Sequence, residues 1–162
     1  MIVLDNALCT VPRVALHEKV LYFGKEEEQE NSSLAHSLLE IASQYYDLSN
    51  YVGYEMWCHE RNYKRSVYHI DKDEIAYEKY GELRTPICSL IYYLDVKNLE
   101  GGRLVFPSKA APIVPKTNKL VIFDKKVAHK VEQWTGSRIS IMINPWAEEV
   151  REPNVQTTYS SY

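Results

Sequence analysis

The chain has 162 residues, 45% hydrophobic and 25% charged, with a net charge of −3 and a pI near 6.0. That length suits one domain with a real core, and the acidic balance argues against a dedicated nucleic-acid binder, which ordinarily shows a basic face. No apolar run reaches the length of a membrane span, and MIVLDNALCT lacks the basic region and apolar core of a signal peptide. Three cysteines, Cys9, Cys58 and Cys88, are an odd number without a CxxC pair. They point to a reducing compartment, here the cytoplasm, rather than a disulfide framework.

Residues 2–4 and 12–23 read as strand pieces, and 25–31, KEEEQEN, as a solvated charge run. Ser32 or Ser33 is placed to cap a helix reaching about Tyr46, with Leu34, Leu38, Ile41, Ala42 and Tyr45 as its buried stripe. Beyond residue 50 the texture changes. Short β-branched and aromatic segments follow at 51–60, 65–71, 85–95, 102–107, 111–115, 118–124, 128–134 and 138–146, punctuated by Gly, Pro, Asn and Lys. Many short strands at such spacing mean a sandwich or barrel. The expected fold is mainly β with flanking α: an α/β support over 1–50, a barrel core over 51–146 and a loose polar tail over 147–162, all one domain. The polar segment 72–85 reads as a connection between strands, and Thr135-Gly136-Ser137 as a hairpin.

Within SVYHIDKDE, His69 and Asp71 stand two apart in a strand-like run and so share a face. An imidazole and a carboxylate at that spacing can grip one metal ion, with His129, at the start of another segment, as third ligand. Two histidines and a carboxylate on one side of an octahedral ion form the facial triad of non-haem Fe(II) oxygenases, which leaves positions open for cosubstrate and O2. Arg138 follows His129 by nine residues. In RISIMIN, Arg138, Ser140, Met142 and Asn144 share one face and Ile139, Ile141 and Ile143 the other, core-facing one. Arg138 with Ser140 makes a polar pair suited to a carboxylate. Ile87, Ser89, Ile91 and Tyr93 share a face of the 85–95 strand, with Tyr93 able to donate to the same ligand.

The order HxD, YYLD, GGRLVF, then a histidine with an arginine nine residues on, resembles the 2-oxoglutarate/Fe(II)-dependent dioxygenases, and among them the prolyl 4-hydroxylase-like branch, over roughly residues 50–146. The resemblance implies a double-stranded β-helix, the jelly-roll barrel of cupins. It implies Fe(II) held by His69, Asp71 and His129, 2-oxoglutarate salt-bridged by Arg138, and Tyr93 and Ser140 as further cosubstrate contacts. A tyrosine often found ten residues before the first metal histidine is His59 here, which takes that cosubstrate position. The implied reaction consumes O2 and 2-oxoglutarate, releases succinate and CO2, and hydroxylates a C–H bond of a peptide or protein residue such as proline, with ascorbate as an accessory reductant. Alternatives within this chemistry are a nucleic-acid oxygenase of the AlkB-like kind and a free amino-acid hydroxylase. The AlkB-like reading lacks a second arginine after Arg138 on the last strand and is disfavoured by the net charge. Outside this chemistry stand a non-catalytic cupin-like binding module and a zinc hydrolase. His17 and His36 fall outside the pattern.

Overall fold

The computed structural model describes residues 1–60, 67–108 and 111–154. Eight strands and two helices follow in order: β1 (Ile2–Leu4), β2 (Leu21–Gly24), α1 (Ser32–Ser43), β3 (Gly53–His59), α2 (Glu74–Tyr80), β4 (Cys88–Gly101), β5 (Leu104–Val105), β6 (Lys119–Asp124), β7 (Lys130–Val131) and β8 (Trp134–Trp146). Six of the strands form an antiparallel sheet in the order β1-β6-β4-β8-β3-β2, and β5 pairs with β7 in a second, smaller layer. No helix among the described residues is long and apolar enough to cross a membrane.

The period-two alternation of the long strands creates two cores. Tyr54, Met56 and Cys58 of β3, Cys88, Leu90 and Tyr92 of β4, and Ile141 and Ile143 of β8 face outward onto Leu34, Ala35, Leu38, Leu39 and Ala42 of α1. The opposite, inner face carries Ile91, Tyr93, Val121, Phe123 and Met142, packed with Leu104, Phe106 and Ile113 of the second layer. Two sheets closing over an inner core make the double-stranded β-helix expected from the sequence.

Several expected elements differ. Residues 12–20 form no strand; they run beside β3 with His17 O accepting from Cys58 N, and the Asn31 side chain clamps Ala15. That use of Asn31 matters for α1. Asn31, not Ser32 or Ser33, precedes the helix, and it makes no side-chain capping bond. The helix stops at Ser43, so Tyr45 is exposed. The segments at 67–71 and 111–115 shrink to isolated bridges, His69 with His129 and Ile113 with Leu104. Pro112 and Pro115 flank Ile113 and have no N–H to extend a ladder. Residues 61–66, which include the first two positions of the strand expected over 65–71, lie outside the described residues.

The expected hairpin at 135–137 is instead a bulged continuation of β8, paired with β4 from Gly101↔Trp134 to Leu90↔Ile143. Gly136 has φ +87 and meets the Asn98 carbonyl so closely that any Cβ would collide with it, so glycine here marks a bulge rather than a turn. The polar connection 72–85 contains α2. Asp73 caps it by accepting from Ala76 N at 2.9 Å, and Gly81 ends it in the left-handed region. The start of the tail is also tied down. Val150 is buried, Arg151 N donates to Asp73 Oδ2 at 2.7 Å, and the Asn154 amide bonds both backbone groups of Tyr22. Residues 155–162 lie outside the described residues.

Candidate metal centre and cosubstrate cradle

His69 and His129 are brought face to face by backbone pairing: His69 N donates to His129 O at 3.0 Å, and His129 N to His69 O at 2.9 Å. The ring centroids are 4.5 Å apart. Each ring is oriented in the same way. Nδ1 of His69 donates to Val67 O at 3.1 Å, and Nδ1 of His129 to Val127 O at 3.0 Å. A carbonyl only accepts, so the proton sits on Nδ1 and the Nε2 lone pair is left for a ligand. Both Nε2 atoms point toward Asp71 Oδ1, at 3.9 and 3.8 Å. Those separations exceed hydrogen-bonding distance, and ligand atoms of all three residues lie within 4.8 Å of one another.

Asp71 is held from behind by Ser89 Oγ, which donates to its Oδ2 at 2.5 Å. Ser89 thus fixes the carboxylate so that Oδ1 faces the histidines, the usual role of an outer partner at a metal site. Ser89 was legible as a resident of this strand face, but nothing in the sequence links it to Asp71. His129 is buried, with Phe123 edge-on at 4.7 Å, while the His69 side chain is about half exposed. The triad therefore has an enclosed side and an open rim. Burial pushes the His129 imidazole toward its neutral form, with Asp71 opposing. Two imidazoles and a carboxylate fit a divalent transition-metal ion with positions to spare.

On the same inner face lies a second cluster. Tyr93 of β4 pairs with Ser140 of β8, and Ser140 pairs with His59 of β3. Arg138 is one step along β8 on this face. Tyr93, Arg138 and Ser140 are at most 1% exposed. The Tyr93 hydroxyl, the Ser140 hydroxyl, and Nε and Nη1 of Arg138 meet no hydrogen-bond partner among the described residues. The guanidinium sits between aromatic rings, 4.9 Å from that of Trp134 and 5.2 Å from that of Tyr93. Rings tolerate a cation, but they do not neutralise it or satisfy its N–H groups. Burial lowers the Arg138 pKa and raises that of Tyr93, and in each case the other residue of the pair opposes the shift. Two buried hydroxyls and two guanidinium nitrogens, on a cation with no ion pair among the described residues, fit the carboxylate of an anionic ligand.

His59 ends β3 at this cradle. Its pKa is pushed down to about 4, by burial first and then by Arg138 and His69, so the ring is neutral at neutral pH. Every residue expected at the site from the sequence thus falls on one face of one barrel, in two adjoining groups: His69, Asp71 and His129, and Arg138, Tyr93, Ser140 and His59. His17 pairs with Glu30 and His36 packs edge-on to Tyr54, away from both groups. Cys58 and Cys88 are buried and Cys9 exposed, all as free thiols.

Glu55, two rows along the same face of β3 from His59, was not anticipated. Its carboxyl is pushed up to about 8, chiefly by burial and then by Asp73, with Asp71 and Glu74 adding to the shift and a hydrogen bond from Trp146 Nε1 at 3.1 Å opposing it.

Residues 54–146 match the model of the 2OG-Fe(II) oxygenase superfamily. None of the curated proteins compared matches the sequence. Among solved structures, the chain is similar to a viral collagen prolyl hydroxylase from Paramecium bursaria chlorella virus-1 in a 2OG complex: TM-score 0.57 and 14% identity, covering 88% of this chain and 93% of that one. It is similar to a Pseudomonas putida prolyl-4-hydroxylase with TM-score 0.55 and 15% identity over 84% and 74% of the two chains. A Trichoplax adhaerens prolyl hydroxylase, in complex with a peptide fragment of the hypoxia inducible factor oxygen degradation domain, gives TM-score 0.52 and 17% identity over 87% and 68%.

Proposed function

Because this chain belongs to the 2OG-Fe(II) oxygenase superfamily, we propose that it is an active dioxygenase that hydroxylates a C–H bond in a peptide or protein residue, with proline as the leading candidate. The iron and 2-oxoglutarate supply the oxidising chemistry: O2 and 2-oxoglutarate are consumed, succinate and CO2 are released, and one oxygen atom goes to the substrate carbon.

The observation that carries the reading is a metal-donor triad beside a buried arginine that has donors to spare. His69, Asp71 and His129 hold the metal, with Nδ1 protons parked on the Val67 and Val127 carbonyls and Asp71 oriented by Ser89. Arg138, Tyr93 and Ser140 receive the far carboxylate of 2-oxoglutarate, and neutral His59 flanks it. The apolar inner face, with Ile91, Met142 and Phe123, excludes water from the reacting centre. A non-catalytic binding module has no need of both groups, and a zinc hydrolase has no need of the arginine cradle.

The choice of a peptide substrate is supported by the prolyl hydroxylases among the similar folds, one of them bound to a peptide fragment. A cytoplasmic location belongs to the same proposal and is supported by the three free thiols. The test is anaerobic. Fe(II) and 2-oxoglutarate are added to metal-free protein, and the visible charge-transfer band of the chelate is sought in wild type, Arg138→Ala and His129→Ala. A band in wild type that is lost in both variants supports the site. No band in folded wild-type protein sinks the dioxygenase reading.

A further inference from the structure

Glu55 lies on the inner face of the barrel without a cationic partner among the described residues. Among the described residues its one hydrogen bond is from Trp146 Nε1, and no lysine or arginine pairs with it. The acidic groups nearby are otherwise engaged. Asp73 caps α2 and accepts from Arg151 N, Glu74 pairs with Lys72 at 2.7 Å, and Glu152 pairs with Lys79.

Directly opposite Glu55 in the β3–β8 register stands Asn144, 2% exposed, whose Oδ1 has no hydrogen-bond partner among the described residues. Paired residues of antiparallel strands point their side chains to the same face, with Cβ atoms about 5 Å apart. A carboxyl and an unsatisfied amide oxygen therefore stand side by side. With its carboxyl pushed up to about 8, Glu55 keeps a proton at neutral pH in the ligand-free protein; once it ionises, the two groups are both acceptors, and a buried acceptor left unmatched is costly.

Their position is defined by the register. Tyr22 of β2 pairs with Glu55, so one transverse row runs Tyr22–Glu55–Asn144. Leu90↔Ile143 places Ser89, the partner of Asp71, at the next step of β4 beside that row. At its other end Glu55 and Tyr22 line a shallow, solvent-open cleft, together with Asp73, Glu74, Ile75 and Val150. The cosubstrate cradle at Ser140 lies four residues away along β8, about 13 Å, with the Trp57–Met142 pair between. The row thus lies beside Ser89, which holds Asp71, and is separated from the cradle by the Trp57–Met142 pair.

We propose that Glu55, with Asn144 Oδ1, binds a positively charged nitrogen of the prime substrate, an alkylammonium or guanidinium such as a lysyl or arginyl side chain near the carbon to be hydroxylated. A cation takes the place of the Glu55 proton: it supplies the counter-charge for the ionised carboxylate and N–H donors for both oxygens. This inference rests on the dioxygenase reading for its catalytic meaning but not for its test.

The indole of Trp146 touches the Glu55 carboxyl and reports on it. Metal-free wild-type protein is titrated with n-butylammonium and, separately, with 1-butanol, an uncharged molecule of the same size, while tryptophan emission is followed. A saturable change with the ammonium alone is expected, with a midpoint at least tenfold weaker in the near-isosteric Glu55→Gln. An equal response to 1-butanol in wild type, an unshifted midpoint in the variant, or no response to the ammonium overturns the proposal. The chelate band is then measured in Glu55→Gln and wild type. A band in both, without a cation response, removes the cation subsite and leaves the dioxygenase reading standing. No band in wild type removes that reading and the substrate role of Glu55 with it.

Discussion

His69 and His129 are hydrogen-bonded to each other through their backbones, 3.0 and 2.9 Å in the two directions, as the sole pair of an isolated antiparallel bridge. The metal site is therefore also a tie between the segment after β3 and the segment after β6. An ion bound to both side chains and Asp71 reinforces a contact that two hydrogen bonds make alone. Binding of a redox-silent divalent ion such as Mn(II) or Zn(II) is expected to raise the melting temperature. The gain corresponds to about 2.7 kcal/mol when the ion is a hundredfold above its Kd. His129→Ala is expected to abolish the gain. Thermal melts with and without metal check this; an equal gain in the variant contradicts the assignment of His129.

Arg138 illustrates stability given up for a ligand. The residue is 1% exposed, and two of its guanidinium nitrogens are unmatched among the described residues. Replacing buried ionic groups by well-packed apolar chains of similar volume is often neutral or stabilising, by up to roughly 4 kcal/mol. Arg138→Met is expected to raise the denaturation midpoint of the ligand-free protein while weakening 2-oxoglutarate binding by about 100-fold or more. Denaturant titration and anaerobic cosubstrate titration read the two effects separately. A destabilised variant with unchanged cosubstrate affinity would identify Arg138 as a structural residue.

Ser89 is a positioning residue for Asp71, through the hydrogen bond to Oδ2. Loss of such an outer partner typically weakens metal affinity by about 10- to 100-fold. Ser89→Ala is expected to show that loss with little change in the denaturation midpoint of the metal-free protein, because only one small hydroxyl is removed. Competition against a metallochromic indicator measures the affinity. Ser89→Thr, which keeps the hydroxyl, is expected to recover part of it.

Much of this site is legible in the sequence because its chemistry is carried by residue types at fixed spacings on long strands. In β8, Arg138, Ser140 and Met142 alternate with Ile141 and Ile143, and the structure keeps that alternation, with the isoleucines in the outer core and Met142 in the inner. What could not be read depends on partners distant in the chain. Ser89 meets Asp71 across 18 residues, and Glu55 faces Asn144 across 89, contacts set by strand order and register rather than by local pattern. The misread elements have local causes. Gly136 reads as a turn until its neighbour strand is known. The capping capacity of Asn31 is spent on Ala15. The signals for α2, Asp73 before it and Gly81 after it, were present but obscured by the polarity of the segment.

The two displaced pKa values on the inner face of β3 give opposite pH dependences. Glu55 is held up at about 8, against 4.5 for an unperturbed glutamate, chiefly by burial and next by Asp73. Between those values the native chain keeps a proton that the unfolded chain has lost. This contribution to stability is therefore complete below about 4.5 and disappears as pH rises toward 8, by an amount on the order of a few kcal/mol. His59 is held down at about 4, against 6.5, by burial and then by Arg138 and His69. Its contribution is complete above 6.5 and is lost as pH falls toward 4. In metal-free protein, Glu55→Gln is expected to flatten the decline in melting temperature between pH 5 and 8 and leave the acid limb in place. His59→Gln is expected to flatten the acid limb below 6.5 and leave the alkaline decline. Melting curves across pH for the three proteins decide it, and a wild-type alkaline decline that survives unchanged in Glu55→Gln would assign it to another group.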